Sequence, residues 1–229
     1  MKTIGMLGGM SWESTELYYR LANQHVRERV GGLHSAPILL DSVDFAEVAG
    51  LQRAGDWDAA GRLLAGRAER LAAGGADLIV LCTNTMHKVI DDIERAVDVP
   101  VVHIADATAA AIAARGIRRV GLLGTAFTME QPFYRERMAT HGIEVVVPDA
   151  ADRALVHRVI FDELVHGVVD PDSRRAFAEI VDRLVAAGAD GVILGCTEIE
   201  LLIGQDEIDV PVFPTAAIHV AAAVDLALA

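Results

Sequence analysis

The sequence predicts an α/β fold made of two similar domains, each built around a parallel β-sheet. Three observations support this prediction. Short apolar runs alternate with amphipathic stretches, two halves of the chain carry the same landmarks in the same order, and each half ends an apolar run with a Cys-Thr pair. With 229 residues, 52% of them hydrophobic, the chain can bury either one large core or two smaller ones.

The order of the elements follows from the periodicity of apolar residues. Nearly continuous apolar runs indicate strands of a parallel sheet that helices cover on both faces. We predict strands at residues 3–7, 38–41, 78–82, 101–104, 120–124, 144–147, 191–196 and 212–213. Amphipathic patterns predict helices at residues 13–30, 56–73, 85–96, 106–115, 131–141, 154–165, 171–187 and 198–203. Strands that alternate with helices indicate βαβ units.

The two halves share three segments. These are IGMLG at 4–8 and VGLLG at 120–124, AGGADLIVLCT at 73–83 and AGADGVILGCT at 187–197, and DVPV at 98–101 and 209–212. The spacing is also similar, because 77 positions separate Gly5 from Cys82 and 75 separate Gly121 from Cys196. Three landmarks in one order predict an internal repeat.

The repeat suggests the domain boundaries. We expect an N-terminal domain of residues 1–103 plus 212–229, which carries Cys82, and a C-terminal domain of residues 104–211, which carries Cys196. The apolar last segment is expected to return to the first half. Each domain should be of the α/β class with its own parallel sheet.

Each cysteine follows a predicted strand and precedes a predicted helix, which is where open α/β sheets bind ligands. Two such halves packed face to face would bring Cys82 and Cys196 into the crevice between them. A structural disulfide is not favoured in a chain without an export signal. A single cysteine is more often a small buried hydrophobic residue, but two at equivalent positions of a repeat favour a function.

Two thiols suit one particular kind of chemistry. Small polar residues after each strand, such as Asn84 in the first half and Glu198 in the second, would lie at a helix N-terminus, which binds carboxylates and lowers the pKa of a nearby thiol. Inverting a stereocentre beside a carboxylate needs a base on one face of the carbon and an acid on the other. We therefore predict that Cys82 and Cys196 exchange these roles.

Charge and hydropathy exclude several partners. The net charge is −13, and no Lys/Arg cluster exceeds a pair, so nucleic acid is not an expected partner. No apolar run is long enough to cross a bilayer, and no basic N-terminal segment leads into a signal-like region. We expect a cytoplasmic protein with a small-molecule ligand and no membrane partner.

No cofactor or metal is expected. The turn at residues 6–11 lacks the G-x-G-x-x-G spacing of a dinucleotide loop. Pyridoxal phosphate needs an active-site lysine, and the chain has only Lys2 and Lys88. A zinc site from Cys82, His87 and His103 lacks the usual ligand spacing. His87 either orients a bound carboxylate or packs in the core, and most of the eight histidines are expected at the surface.

Several motifs resemble those of the aspartate/glutamate racemase superfamily, in its aspartate-racemase-like branch, over almost the whole chain. The motifs are GMLGGMSWEST at 5–15, Asp44-Phe45, LQRAGDW at 51–57, CTNTMH at 82–87 and GCTEI at 195–199. The resemblance implies two Rossmann-like (flavodoxin-like) domains with the active site between them, no cofactor, no metal and commonly a homodimer.

The resemblance also implies roles for individual residues. Cys82 and Cys196 would be the acid/base pair of an isomerase that racemises amino acids. The residues that would line the substrate pocket are Met10, Gln52, Thr83, Asn84, Thr85, Thr125, Thr197 and Glu198.

One departure bears on the substrate. Some strictly aspartate-specific relatives carry an arginine and a lysine beside the cysteines, where this chain has Gln52 and Val165. The chain thus resembles glutamate-preferring or broad-specificity racemases more closely. Two alternatives stay open: another cysteine-dependent reaction of the superfamily (maleate isomerisation, hydantoin racemisation or malonate decarboxylation), and a catalytically silent carboxylate-binding protein.

Overall fold

The computed structural model describes residues 1–229 and divides the chain into two compact units. Unit 1 consists of residues 1–104 and 219–229, and unit 2 of residues 105–218. Each unit has a four-stranded parallel sheet with helices, which confirms the predicted fold class.

The elements of unit 1 follow one another as strands and helices. In chain order they are β1 (Ile4–Gly8), α1 (Trp12–Val30), β2 (Ile38–Ser42), α2 (Phe45–Ala54), α3 (Trp57–Ala73), β3 (Leu78–Leu81), a 3₁₀ helix (Thr85–Val89), α4 (Ile90–Ala96) and β4 (Val101–Val102). The chain then enters α5 (Ile104–Ala113), where unit 2 begins.

Unit 2 repeats this plan. After α5 come β5 (Arg119–Gly124), α6 (Ala126–Glu130), α7 (Pro132–Thr140), β6 (Glu144–Val146), α8 (Ala150–Asp162), a 3₁₀ helix (Leu164–His166), α9 (Pro171–Ala186), β7 (Val192–Gly195), a 3₁₀ helix (Thr197–Leu201), β8 (Val212–Pro214) and α10 (Thr215–Leu228). The last residues of α10 belong to unit 1.

The two sheets have equivalent strand orders, β2-β1-β3-β4 in unit 1 and β6-β5-β7-β8 in unit 2. In each sheet the first strand of the half pairs with the strand that leads to a cysteine. Gly5 pairs with Ile79 in unit 1, and Gly121 pairs with Val192 in unit 2. The sequence repeat is therefore also a repeat of topology and pairing.

The sheets are held by apolar side chains from the covering helices. In unit 1, α2, α3 and α4 contribute Val48, Leu64 and Ile93 to a cluster with Leu7 and Ile79 of the sheet. In unit 2, α9 lies so close to β5 that a Cβ at Gly121 would approach Leu184 Cδ1 to 2.8 Å. Burial of this kind contributes about 25 cal/mol per Å² of apolar surface.

Polar side chains mark where many helices begin. An N-cap side chain accepts a backbone N–H of the first turn, which stabilises a helix by about 1 kcal/mol. The caps with this bond are Ser11, Asp44, Asp56, Thr125, Asp149 and Asp170.

The structure differs from the predicted elements in a few places. Helices α2, α6 and α10 were not predicted. The helix predicted at residues 85–96 is a 3₁₀ turn followed by α4, and the helix predicted at 198–203 is a 3₁₀ helix. Residues 212–218, which the sequence-based boundary puts in the first domain, lie in unit 2 because β8 pairs with β7. No helix combines the length and apolar character needed to span a bilayer.

Candidate active site

Cys82 lies directly after β3, which is one of the two central strands of the unit 1 sheet. Its N–H donates to the carbonyl oxygen of Leu7 at 2.9 Å, which continues the β1–β3 pairing by one residue. The side chain is fully buried, and its Sγ lies 3.8 Å from the carbonyl oxygen of Val80. The thiol is therefore held at the carboxyl edge of the sheet, in surroundings that disfavour a charge.

The turn after β1 lies beside Cys82 and carries Met10. Gly9 has φ +91°, and a Cβ there would lie 2.2 Å from the carbonyl oxygen of Val43, so only glycine fits. Its N–H donates to Thr15 Oγ1 at 2.8 Å, and the Thr15 hydroxyl donates to the carbonyl oxygen of Ser11 at 2.8 Å. Thr15 thus fixes the turn from the first residues of α1.

The other residues predicted for the unit 1 side come from two segments. Gln52 of α2 is buried, and its Nε2 donates to Sδ of Met86 at 3.0 Å, which joins α2 to the segment after Cys82. In that segment Asn84 and Thr85 are buried, and Thr83 is partly exposed. Met10 and Met86 belong to one hydrophobic cluster, so Met10 contributes mainly apolar surface.

His87 is a structural residue of unit 1. Its Nδ1 lies 2.7 Å from the carbonyl oxygen of Thr83, and its Nε2 accepts the N–H of Ile104 at 3.1 Å. These partners require a neutral ring with the proton on Nδ1. Burial, and then repulsion from His103 and His219, lowers the pKa of His87 well below its usual value. Of the two roles left open by the sequence, packing is the one these bonds support.

His103 and His219 are exceptions to the expectation that most histidines lie at the surface. Both are buried, and both rings lie near His87, with centroid separations of 4.8 Å and 5.6 Å respectively. His219 Nε2 donates to the carbonyl oxygen of Val102 at 2.7 Å, and burial lowers the pKa of His219 to about 4.

No group of three or more His, Cys, Asp or Glu side chains is arranged to hold a metal ion. Both ring nitrogens of His87, one of the zinc ligands considered above, are occupied by backbone groups. Lys88, the one lysine near Cys82 in sequence, has its Nζ 3.9 Å from the centroid of the Trp57 ring, a cation–π contact.

In unit 2 the equivalent edge is formed by the ends of β5 and β7. Gly124 pairs with Gly195, so Thr125 and Cys196 follow two adjacent strand ends. Thr125 caps α6 and lies 3.2 Å from the Thr128 hydroxyl. Both Thr125 and Cys196 thus lie at the carboxyl edge of the unit 2 sheet.

Cys196 is hydrogen-bonded to a carboxylate, unlike Cys82. Its Sγ donates to Glu198 Oε2 at 2.8 Å, and the Thr197 hydroxyl donates to the same oxygen at 2.8 Å. Thr197 and Glu198 are both buried. Three of the predicted site residues of unit 2 therefore form one hydrogen-bonded group.

Glu200 is a titratable neighbour that the sequence did not single out. It is mostly buried, and burial followed by repulsion from Glu198 raises the pKa of Glu200 to about 7. The available signal in the sequence was a pair of acidic residues, Glu198 and Glu200, in the short segment that follows an apolar strand. Carboxylates are seldom buried, so their burial was not expected from residue type.

The thiol pKa values correct a second expectation. Burial raises the pKa of Cys82 well above its usual value. Burial, and then the charge and hydrogen bond of Glu198, raises that of Cys196. Five-residue 3₁₀ helices, Thr85–Val89 and Thr197–Leu201, follow the two cysteines in place of the expected α-helices. They supply little of the dipole that would favour a thiolate. These surroundings favour the protonated form of both thiols.

Comparison with known proteins identifies what the chain resembles. The sequence model described as "Asp/Glu/Hydantoin racemase" matches residues 7–223. An Asp/Glu racemase candidate from Yersinia pestis is 54% identical, with a TM-score of 0.95 and complete coverage of both chains. An aspartate racemase homologue from Pyrococcus horikoshii is 37% identical, with a TM-score of 0.89, again over both whole chains.

Two more distant proteins also match the chain. The broad-specificity amino-acid racemase RacX of Bacillus subtilis is 24% identical over 66% of this chain and 64% of that protein. Arylmalonate decarboxylase is 16% identical with a TM-score of 0.55, a likeness of fold alone.

Proposed function

The chain belongs to the Asp/Glu/hydantoin racemase family, and we propose that it is a cofactor-independent amino-acid racemase whose proton carriers are Cys82 and Cys196. The observation that carries this proposal is the equivalence of the two thiols. Each follows the strand that pairs with the first strand of its half, in sheets of equivalent order. A reaction that needs one acid and one base of the same kind accounts for this equivalence.

In the proposed reaction one cysteine, as thiolate, takes the Cα proton, and the electron pair passes into the adjacent carboxylate. The other cysteine, as thiol, gives its proton to the opposite face of Cα, and the configuration is inverted. The roles are exchanged for the other enantiomer. Thr83, Thr85 and Thr125 are the proposed hydrogen-bond donors to the carboxylate as negative charge develops on it, whereas the Thr197 hydroxyl is already bonded to Glu198.

The substrate itself would help to create the thiolate. Both thiols have raised pKa values in the protein without substrate. An amino acid brings an α-ammonium group, and an opposite charge a few ångströms away lowers the pKa of a thiol. Ionisation would therefore follow binding, which keeps the reactive thiolate away from other electrophiles.

The proposed substrates are amino acids with acidic side chains or a broader set. The position where some aspartate-specific relatives carry an arginine is Gln52, whose amide contacts Met86. A neutral amide can form hydrogen bonds with both carboxylate and carboxamide side chains of a substrate. The name of the Bacillus subtilis relative agrees with a broad range.

The test is incubation with each L-amino acid in D₂O, without added cofactor, followed by NMR of the Cα position and chiral chromatography. We expect deuterium at Cα together with the D-enantiomer for at least one amino acid. Loss of carbon dioxide or isomerisation without Cα exchange would assign another reaction of the family, and tight binding without exchange would leave only a carboxylate-binding protein.

A further inference from the structure

The segments that follow the two cysteines match in sequence but differ in charge. Cys82-Thr83-Asn84 in unit 1 corresponds to Cys196-Thr197-Glu198 in unit 2. The residue two positions after the cysteine is a neutral amide in the first and a carboxylate in the second. The equivalent thiols therefore have unequal electrostatic surroundings.

We propose that Glu198 is a positioning residue that retains the proton on Cys196 in the substrate-free protein, so that Cys82 is the cysteine that acts first as the base. This inference rests on the proposed function for the roles of the two thiols, and it adds which of the two protonated thiols is the harder to ionise.

The geometry of the Cys196 thiol supports the proposal. Sγ lies 2.8 Å from Glu198 Oε2 and donates to it, and a hydrogen bond to an ionised acceptor is stronger than one between neutral groups. A thiolate at the same place would put two negative charges in contact. Because Glu198 is only 6% exposed, solvent would screen their repulsion little. The protonated form is favoured on both counts.

The carboxylate is itself fixed in position. Oε2 also accepts the Thr197 hydroxyl at 2.8 Å, so it is held by two donors from the segment that follows β7. Glu200 adds a second acidic group, and its charge also disfavours a thiolate at Cys196. Cys82 has no such neighbour, because burial is the only cause that raises its pKa.

The proton balance of a first turnover follows from this asymmetry. The S–H bond of Cys82 breaks on ionisation and its proton passes to solvent, after which its sulfur forms a new S–H bond with the proton taken from Cα. The S–H bond of Cys196 breaks as its proton bonds to the opposite face of Cα. Cys196 is left as a thiolate against Glu198, an unfavourable state that is relieved when Cys196 takes a proton from the next substrate of opposite hand or from solvent. The two substrate-free forms of the protein are thus unequally populated.

The experiment isolates Cys196 by placing all variants in a Cys82→Ser background, which leaves one thiol in the chain. Thiolate formation is followed as a function of pH by ultraviolet absorbance and by the rate of alkylation with iodoacetamide. We expect Glu198→Gln to lower the pH midpoint of thiolate formation by at least about one unit. At a fixed pH below that midpoint, alkylation should then be about tenfold faster. Glu136→Gln, a substitution on the exposed side of α7, is the matched control and should leave the midpoint unchanged.

Glu198→Asp provides a second variant should the amide form fold poorly. It keeps the charge but draws the carboxylate away from Sγ, so we expect a smaller lowering in the same direction. Midpoints at or above that of the parent in both variants would overturn the proposal. No substrate is used, so this experiment and the D₂O test can fail separately. A lowered midpoint in a protein that fails the D₂O test would reject racemisation but keep the role of Glu198. An unmoved midpoint in an active racemase would reject the role of Glu198 but keep racemisation.

Discussion

The hydroxyl of Tyr18 lies 2.9 Å from Nδ1 of His219, and the two residues are 201 positions apart in the sequence. Because His219 Nε2 donates to Val102, the Tyr18 hydroxyl is the donor to Nδ1. This pair links α1 to the last helix within unit 1. It holds the imidazole neutral inside the core, where a proton would have to displace one of these bonds.

The first prediction concerns acid stability. His219 has a folded-state pKa of about 4, below its ordinary 6.5, so the unfolded chain binds the proton more readily between these values. The free energy of unfolding should therefore fall as pH decreases from about 6.5 to about 4, by about 3 kcal/mol for this residue. His87, also lowered, acts in the same direction.

Urea unfolding at several pH values measures this effect. His219→Gln should reduce the slope of stability against pH in that window, whatever its effect at neutral pH. His34→Gln, at an exposed position, is the control. Equal slopes for His219→Gln and the parent protein would contradict the prediction.

The second prediction concerns Glu200, where the sign is opposite. Its folded-state pKa is raised from 4.5 to about 7, so its contribution to stability is full below pH 4.5 and is lost as pH rises through 7. Glu200→Gln should gain stability relative to the parent by about 3 kcal/mol between pH 4.5 and pH 8. Thermal unfolding at both pH values tests this, with Glu136→Gln as the control, and a pH-independent difference would refute it.

The third prediction concerns the two thiols. Cys82→Ser and Cys196→Ser should each reduce racemisation by about 100-fold or more, because each removes one proton carrier. Chiral chromatography of product gives the rate, and urea unfolding shows whether the fold is retained. Near-parental activity in either variant would remove that cysteine from the proposed pair.

The fourth prediction concerns the turn that carries Met10. A Cβ at Gly8 would lie 2.5 Å from Thr15 Cγ2 and 2.7 Å from its Oγ1, so Gly8→Ala displaces the side chain that bonds to Gly9 and Ser11. We expect a loss of about 1–3 kcal/mol in unfolding free energy and a reduced racemisation rate.

Gly66→Ala is the matched control for that substitution. Gly66 lies inside α3, and a Cβ there would meet nothing within 4 Å. Alanine should raise the free energy of unfolding by up to about 1 kcal/mol, since it is the better helix former. If both substitutions were equally tolerated, the contact with Thr15 would not constrain the turn.

Much of the fold was predictable because apolar periodicity reports burial directly. Runs such as those ending at Leu81 and Gly195 are strands whose two faces are both covered, so the pattern alone identifies them. Helix α2 was missed because its short, mixed segment has little periodicity, although Asp44 is a recognisable N-cap. The pairing of β8 with β7 decides that residues 212–218 belong to unit 2. Strand pairing cannot be predicted from the local sequence pattern.

The candidate site was predictable in position but not in its electrostatics. The repeat locates Cys82 and Cys196 at equivalent strand ends. Burial of His219 depends on Tyr18, a partner too distant in sequence to be inferred. The contact between Cys196 and Glu198 depends on side-chain rotamers, which neither propensity nor spacing specifies.

The return of residues 219–229 to unit 1 has a consequence for biosynthesis. The Lys2 N–H donates to the carbonyl oxygen of Ala227, so this bond can form only after both segments, and all of unit 2 between them, have been synthesised. Unit 1 can complete its core only after unit 2 has been synthesised, whereas residues 105–218 are contiguous and can fold as soon as they emerge. Loss of residues 219–229 would therefore damage unit 1, whose strands are all synthesised before unit 2.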